Sequence, residues 1–343
     1  MNILITGGCG YIGSHTALEL IAAGHRPVIV DNLVNSSRGV LGRLKELTGQ
    51  DITFYEQDFQ DADAMRLVIS TEAIDGVIHF AAHKAVGESM QDPLKYYQNN
   101  TAGFAALLAV LVDAGVRTCI FSSTAAVYGN PPEAVVTEET PCRPESPYGW
   151  SKYMDEIILH DTCAAVPGFT GIALRYFNVV GAHASGDIGE QSKTPPQNLL
   201  PVIVDACAGK RPPLIINGND YDTPDGTCLR DYIHVVDLAK AHIAALNTAA
   251  RTAEGSYRVY NVGTGHTTSI LELITTFEKV NGVQVPYSFG PRRAGDPVAY
   301  SANPSKAERE LHWKAEKTIE NACRDAWHWQ TKHPNGFDTP SPA

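Results

Sequence analysis

Short apolar runs alternate with stretches of helical spacing through the first half of the chain. Asn2–Thr6, Pro27–Val30, Ile52–Tyr55, Gly76–His79, Thr118–Ser122 and Gly171–Arg175 read as strands, several without a polar interruption. Between them, Ser14–Ala23, Ala62–Ser70, Asn99–Ala114 and Pro147–Cys163 carry the spacing of helices. Strands apolar on both faces need cover on both faces, which a parallel sheet flanked by helices supplies. The expected fold is therefore α/β: a Rossmann-type doubly wound parallel sheet with a smaller α/β substrate-binding domain. Ligands of such sheets collect at the carboxyl ends of the strands, near the switch point.

The rhythm changes after Tyr176. Gly, Pro and Asn punctuate Gly181–Pro201 and Arg211–Gly226, and helices are predicted at Asn198–Ala208, Val235–Thr248, Ser269–Asn281 and Thr318–His328. The expected division is a nucleotide-binding domain over 1–176, completed by some later segments, a second domain over 177–335, and a tail over 336–343. The end of the chain from Pro334 is expected to fray.

Thr6-Gly7-Gly8-Cys9-Gly10-Tyr11-Ile12-Gly13 follows the first strand and opens the first helix. Gly7 allows a tight turn, Gly10 lets a pyrophosphate approach the backbone, and Gly13 lets helix and strand pack closely. The helix start then offers free N–H groups to phosphate. Asp31, closing the second strand, can accept both ribose hydroxyls and would repel a 2′-phosphate, so NAD is favoured over NADP. Asp58 follows the third strand and can accept from an adenine amino group. Phe80-Ala81-Ala82 follows the fourth, with small residues where a backbone must approach a ligand.

Tyr148 and Lys152 lie one turn apart on a predicted helix and face the same way. A free phenol has a pKa of ~10 and is a poor base at neutral pH. A neighbouring ammonium and a positive nicotinamide ring favour the phenolate. Tyr148 can then accept a proton from a substrate hydroxyl while Lys152 holds the nicotinamide ribose. Phe121-Ser122-Ser123-Thr124 ends a strand and supplies a hydroxyl to share that proton.

Composition narrows the partners. Across 343 residues, 27 Lys and Arg against 38 Asp and Glu leave a net charge of −11, which argues against nucleic acid or an anionic membrane as partner. The apolar stretch Thr101–Val112 is too short to span a bilayer, and the first residues enter the glycine motif with no signal-peptide pattern. The 7 cysteines are scattered without a C-x-x-C pair, so a reducing cytoplasm is expected. Of the 12 histidines, His79, His83 and His234 lie near the motifs without ligand spacing, and no metal is expected.

Together these residues resemble the extended short-chain dehydrogenase/reductases, and within them the nucleotide-sugar 4-epimerases. The likeness rests also on Lys84-Ala85-Val86-Gly87-Glu88-Ser89, Tyr96-Tyr97-Gln98-Asn99-Asn100, Leu174-Arg175-Tyr176-Phe177-Asn178, Arg230-Asp231-Tyr232-Ile233-His234 and Arg292-Arg293-Ala294-Gly295-Asp296. It implies interconversion of UDP-galactose and UDP-glucose with an NAD that stays bound. Tyr148, helped by Thr124, would take the proton of the hexose 4-hydroxyl as carbon 4 is oxidised. The 4-ketose would turn over in the pocket and be reduced on its other face. By the same resemblance NAD is lined by Gly7, Gly10, Tyr11, Ile12, Gly13, Asp31, Asn32, Asn35, Ser36, Asp58, Phe59, Phe80, Ala81, Ala82, Lys84, Asn99, Ser122, Tyr148, Lys152, Tyr176 and Phe177. The UDP-sugar is lined by Lys84, Thr124, Tyr148, Asn178, Asn198, Leu199, Ile215, Asn217, Arg230, Arg293, Asp296 and Tyr300.

Physical sense supports those roles. On an acidic protein a pyrophosphate needs local cations, and Arg230 and Arg293 are the candidates. Asn198 starts a predicted helix, where an amide and open N–H groups suit phosphate. Ala82 stands where the family often has glycine, and Asn217 where it usually has an aromatic beside the uracil. Tyr300 fills the volume an N-acetyl group at hexose carbon 2 would need, so N-acetylated sugars should be poor substrates. A 4,6-dehydratase would need an acid and a base right after Thr124, where Ala125-Ala126 stand. The remaining alternatives are a UDP-glucuronate-directed epimerase or decarboxylase and a non-catalytic NAD sensor. The family resemblance also implies a homodimer through helices near Asn99–Ala114 and Pro147–Cys163.

Overall fold

The computed structural model describes residues 1–252, 254–293 and 295–338. Seven parallel strands form the central sheet: β1 (Asn2–Thr6), β2 (Arg26–Asp31), β3 (Thr53–Glu56), β4 (Gly76–His79), β5 (Thr118–Thr124), β6 (Thr170–Tyr176) and β7 (Ser256–Val262). Their order is β7-β6-β5-β4-β1-β2-β3, so the chain reverses direction across the sheet between β1 and β4. Alternate residues feed two cores. Ile3, Ile5, Ile29, Ile78, Ile120, Ile172 and Leu174 pack on one face with Leu20, Leu238 and Leu246. Leu4, Val28, Val30, Val77, Cys119, Phe121 and Ala173 pack on the other with Met65, Val68, Leu107, Leu111 and Leu159. A period of two with both faces covered is what the apolar runs encode.

Two parts of this layer come from late in the chain. Strand β7 pairs in register with β6 from Ser256↔Thr170 to Val262↔Tyr176, and the helix Val235–Ala250 packs beside the first helix, Tyr11–Ala22. Neither β7 nor the helix Gly39–Thr48 is among the elements the sequence pattern predicts. Conversely, Val135–Val136 leaves the first half and pairs with Ala299–Ala302 in a four-stranded sheet that also holds Leu229–Arg230 and Thr268–Ser269. Asp231 knits this second layer together. Its buried carboxylate accepts from the backbone N–H groups of Thr264, Gly265 and Ala302 and from the Thr264 hydroxyl.

Two local expectations need correction. The helix expected from Asn99 begins as a wide π-turn, Tyr97–Ala102, and turns regular only over Gly103–Asp113. Asn100 supplies the reason: its side chain accepts from His83 N (2.9 Å) and donates to the Ser151 hydroxyl (3.0 Å), pulling the turn toward the neighbouring helix. The chain end does not fray at Pro334. Phe337 is buried, its ring centroid 4.8 Å from that of Trp329, while residues 339–343 of the expected tail lie outside the described residues.

Buried histidines make the fold acid-sensitive. Burial holds His15 down to about 3 and His242 down to about 4, and holds His79 well below its usual range. Above about pH 6.5 these rings are neutral folded or unfolded. As pH falls below that, the unfolded chain binds protons the folded chain cannot, so stability is lost progressively down to the folded values. His242 alone should remove about 3 kcal/mol by pH 4. Melting temperatures followed between neutrality and pH 4 should fall steeply, and His242→Phe should flatten the slope; an unchanged slope would refute this.

Candidate functional site

The carboxyl ends of β1, β2, β4 and β5 meet one cleft. Gly7 takes a positive φ of 71°, and a Cβ there would lie 2.8 Å from Ala81 N. A Cβ on Gly13 would lie 2.5 Å from the Gly7 carbonyl oxygen. The helix Tyr11–Ala22 starts at Gly10 with no side-chain cap, so its first N–H groups face the cleft open. Asp31 is buried, accepting from Cys9 N (3.0 Å), Leu33 N (2.9 Å) and the Ser36 hydroxyl (2.8 Å). Only glycine permits this cradle, and it has the form a dinucleotide pyrophosphate requires.

The rim of the cradle is built by pairs. Asn32 donates to Asp58 (2.9 Å), and Gln60 bridges Asp58 and Asn99. Phe59 points into the core, its ring 5.0 Å from that of His79, and offers the cleft only its backbone. The Phe80 ring lies tilted against His242, their centroids 4.7 Å apart. Ala81 and Ala82, just past the end of β4, have half-buried side chains. A loop from the second half closes over this rim: the Tyr11 hydroxyl donates to the Gly181 carbonyl (2.6 Å), the Ser192 hydroxyl and Lys193 N donate to Asn35 Oδ1, and Lys84 pairs with Glu190 at 3.0 Å. Glu190 and Lys193 have no local signal in the sequence, because their partners are far away along the chain.

Where β5 ends, hydroxyls and ammonium groups converge. Tyr148 sits in the first turn of the helix Pro147–Ala165, whose start is set by Pro147 and by the Ser146 hydroxyl accepting from Gly149 N (3.1 Å). Tyr148 and Thr124 are each 8% exposed, and the Thr124 side chain acts on the phenol. Burial pushes the Tyr148 phenol well up, reinforced by Tyr176, while Thr124 and the Lys84 ammonium oppose the rise. Lys152 donates to the Ser122 carbonyl (2.9 Å), with its ammonium 4.7 Å from the Phe121 ring centroid. The Ser122 and Tyr176 hydroxyls are 2.8 Å apart. In the protein alone, then, the cation acting most on the phenol is Lys84, and Lys152 is aimed at the strand.

Across the cleft lie the other expected residues. Asn198 caps the helix Leu199–Cys207 without a side-chain bond of its own, leaving its amide and the helix N–H groups available. Arg230 donates to the Leu229 and Pro297 carbonyls (both 2.8 Å) and stands 3.7 Å from Asp296. Arg293 lies exposed on the same loop as Asp296, and Asn178 donates to the Asp231 carbonyl (2.9 Å). Ile215 and Asn217 occupy the outward face of the edge strand Leu214–Asn217. Tyr300 donates to the Ala125 carbonyl (2.7 Å) and packs 5.2 Å from buried Phe177. The histidines singled out earlier have structural partners: His79 bonds Thr6 (2.7 Å), His234 bonds Asp325 (3.2 Å), and His83 N bonds Asn100.

Residues 4–326 match the family described as GDP-mannose 4,6 dehydratase. The chain is 48% identical over 338 residues to UDP-glucose 4-epimerase of Neisseria meningitidis serogroup C, covering 98% of this chain and 99% of that one. It is 49% identical over 336 residues to the Dictyostelium discoideum enzyme of the same name, covering 98% and 97%. The structure superposes with a TM-score of 0.95 on the UDP-glucose-4-epimerase from Stenotrophomonas maltophila with bound NAD and formylated UDP-arabinopyranose, 45% identical and covering 97% of this chain and 99% of that one. It superposes at 0.93 on the Bifidobacterium longum epimerase in complex with NAD+ and UDP, 47% identical and covering 98% and 100%.

Proposed function

The chain belongs to the UDP-glucose 4-epimerase family, and from that premise we propose that its site interconverts UDP-galactose and UDP-glucose, with Tyr148 moving the proton. The observation that supports this most directly is the burial of Tyr148 together with Thr124, each 8% exposed, where β5 ends beside the start of the Tyr148 helix. Thr124 holds the sugar 4-hydroxyl against the phenol oxygen; Tyr148 accepts its proton and later returns it. Lys84 and Lys152 favour the phenolate, and Lys152 and Asp31 suit the two ribose hydroxyl pairs of a dinucleotide. NAD, when bound, supplies the acceptor for the hydrogen and electron pair at carbon 4. Arg230, Arg293 and the open start of the helix at Asn198 hold the pyrophosphate, so the hexose can turn while its nucleotide stays fixed. Asn178, Leu199, Ile215, Asn217 and Asp296 complete that side. Ala125 and Ala126, which follow Thr124, carry no group that could eliminate water.

The test is direct. Purified protein given UDP-galactose, with no cofactor added, should form UDP-glucose, and deuterium at carbon 4 should be retained; loss of the label to solvent would sink the reading. The same assay should show UDP-N-acetylglucosamine turned over poorly, because Tyr300 occupies the space beside Phe177.

The division into a nucleotide-binding lobe and a sugar-binding lobe around 176/177 belongs to the same proposal, each lobe borrowing the segments described above. We also propose a homodimer. Trp150, Met154 and Ile157 form an exposed apolar stripe on the Tyr148 helix, beside exposed Met90 and Leu94, and a second copy would cover it. Light scattering at micromolar concentration should give twice the 37.0 kDa chain mass, and a single-chain particle would contradict it. All seven cysteines are free thiols, and none of the described helices is long and apolar enough to cross a membrane. Both facts suit a reducing cytoplasm, which cell fractionation would check.

A further inference from the structure

The helix that begins with Tyr148 buries two opposite charges one turn apart. Lys152 is 3% exposed and Asp155 is 1% exposed, on the shared face that i, i+3 spacing gives a helix. Among the described residues, neither Asp155 carboxylate oxygen has a hydrogen-bond donor in bonding geometry. The Thr101 hydroxyl of the π-turn faces it but is directed to the Ser151 carbonyl (3.4 Å). A buried carboxylate without donors is costly to fold. Its neighbour Glu156 shows the contrast: it takes two bonds from Arg175 Nε, one from Arg175 Nη2 and one from the Ser123 hydroxyl, so its charge is spent inside that network.

Lys152 is the group that needs a counter-charge. Around its ammonium stand the Ser122 carbonyl and the Phe121 ring from β5 and the neutral His79 ring from β4, and Tyr148 lies one turn earlier on its own helix. Tyr176 on β6 reaches the same place through the Ser122 hydroxyl. Burial pulls such an ammonium below its usual range and pushes such a carboxyl above its own; each restrains the other here. We propose that Asp155 is a positioning residue for the epimerisation, its carboxylate being the counter-charge that keeps Lys152 an ammonium while Tyr148 alternates between phenol and phenolate. This rests on the functional reading given above. Asp155 touches neither sugar nor nucleotide; it acts through Lys152, and no atom is transferred to it.

The experiment compares the holoenzyme with Asp155→Asn and Asp155→Glu variants across pH. In Asp155→Asn, the loss of kcat on the alkaline side, where Lys152 gives up its proton, should move down by about one pH unit or more, with KM nearly unchanged. Asp155→Glu should restore much of the parent profile. An Asp155→Asn profile that overlays the parent's overturns the proposal. A second readout needs no variant and no turnover: carbon-13 spectra of aspartate-labelled holoenzyme should show the Asp155 carboxyl ionised at mildly alkaline pH and titrating in step with Lys152. A carboxyl that stays protonated there overturns the proposal even if the Asn variant fails to fold. Should the parent not interconvert UDP-hexoses, the functional reading fails, while the carboxyl spectrum still decides whether the charge pair exists.

Discussion

Tyr148→Phe should lower kcat by about 10²–10⁴-fold, the contribution of a positioned general acid–base group. The substitution removes one oxygen and keeps the ring, which packs edge-on at 6.5 Å from Tyr96. Thr124 keeps its contact with Ala126 N (3.2 Å), which caps the following turn. The fold and NAD content should therefore match the parent's, by circular dichroism and by absorbance of released nucleotide. The loss should fall on kcat far more than on KM, because the residues proposed to hold the pyrophosphate across the cleft are untouched. A variant with near-parent kcat would remove Tyr148 from the mechanism and leave the hydroxyls of Thr124 or Tyr176 to be tested in its place.

Arg175→Met should cost about 3–5 kcal/mol of stability, the range for breaking one side of a buried ion pair. Arg175 and Glu156 are 5% and 2% exposed, with their closest approach at 2.6 Å. The Arg175 guanidinium also lies 4.9 Å from the Tyr128 ring centroid and donates to the Tyr128 hydroxyl (3.0 Å), which in turn bonds Asn261 (2.6 Å). Removing it leaves the Glu156 carboxylate with the Ser123 and Tyr257 hydroxyls alone. The double variant Arg175→Met/Glu156→Leu should recover most of the loss, since the stranded charge is gone. Denaturant midpoints measure both, and a double variant no more stable than the single one would show that packing, not charge, dominates. The network matters beyond stability: Ser123 lies between Ser122 and Thr124, so Glu156 clamps the strand end that carries their hydroxyls beside the Tyr148 helix.

The cleft's local parts were readable before any fold was known. Gly7, Gly10 and Gly13 are spaced by a turn and a helix start; Tyr148 and Lys152 by one helical turn; Thr124 closes an apolar run. Each motif is short, and the physics that makes it is confined to neighbouring residues. The expected strands match those of the sheet to within a residue or two at their ends. Where the reading stopped short, the reason was partnership over distance. β7 is a half-buried edge strand whose place beside β6 is set by pairing. The π-turn at Tyr97–Ala102 follows from Asn100 reaching Ser151 on another helix, which no helical periodicity displays.

The amino-acid order alone decided the layered sheet, the glycine turn at the helix start and the tyrosine–lysine spacing, because burial periodicity, glycine's open backbone and helical spacing act over a few residues. Tertiary structure decided which charges act on which groups. Lys84 comes to face both Glu190 and Tyr148, Asp231 gathers four donors from one loop and a strand, and Asp155 becomes a buried carboxylate one helical turn from Lys152. The field at an ionisable group depends on distance and on exclusion of water, and both are properties of packed elements that meet only after the chain has folded.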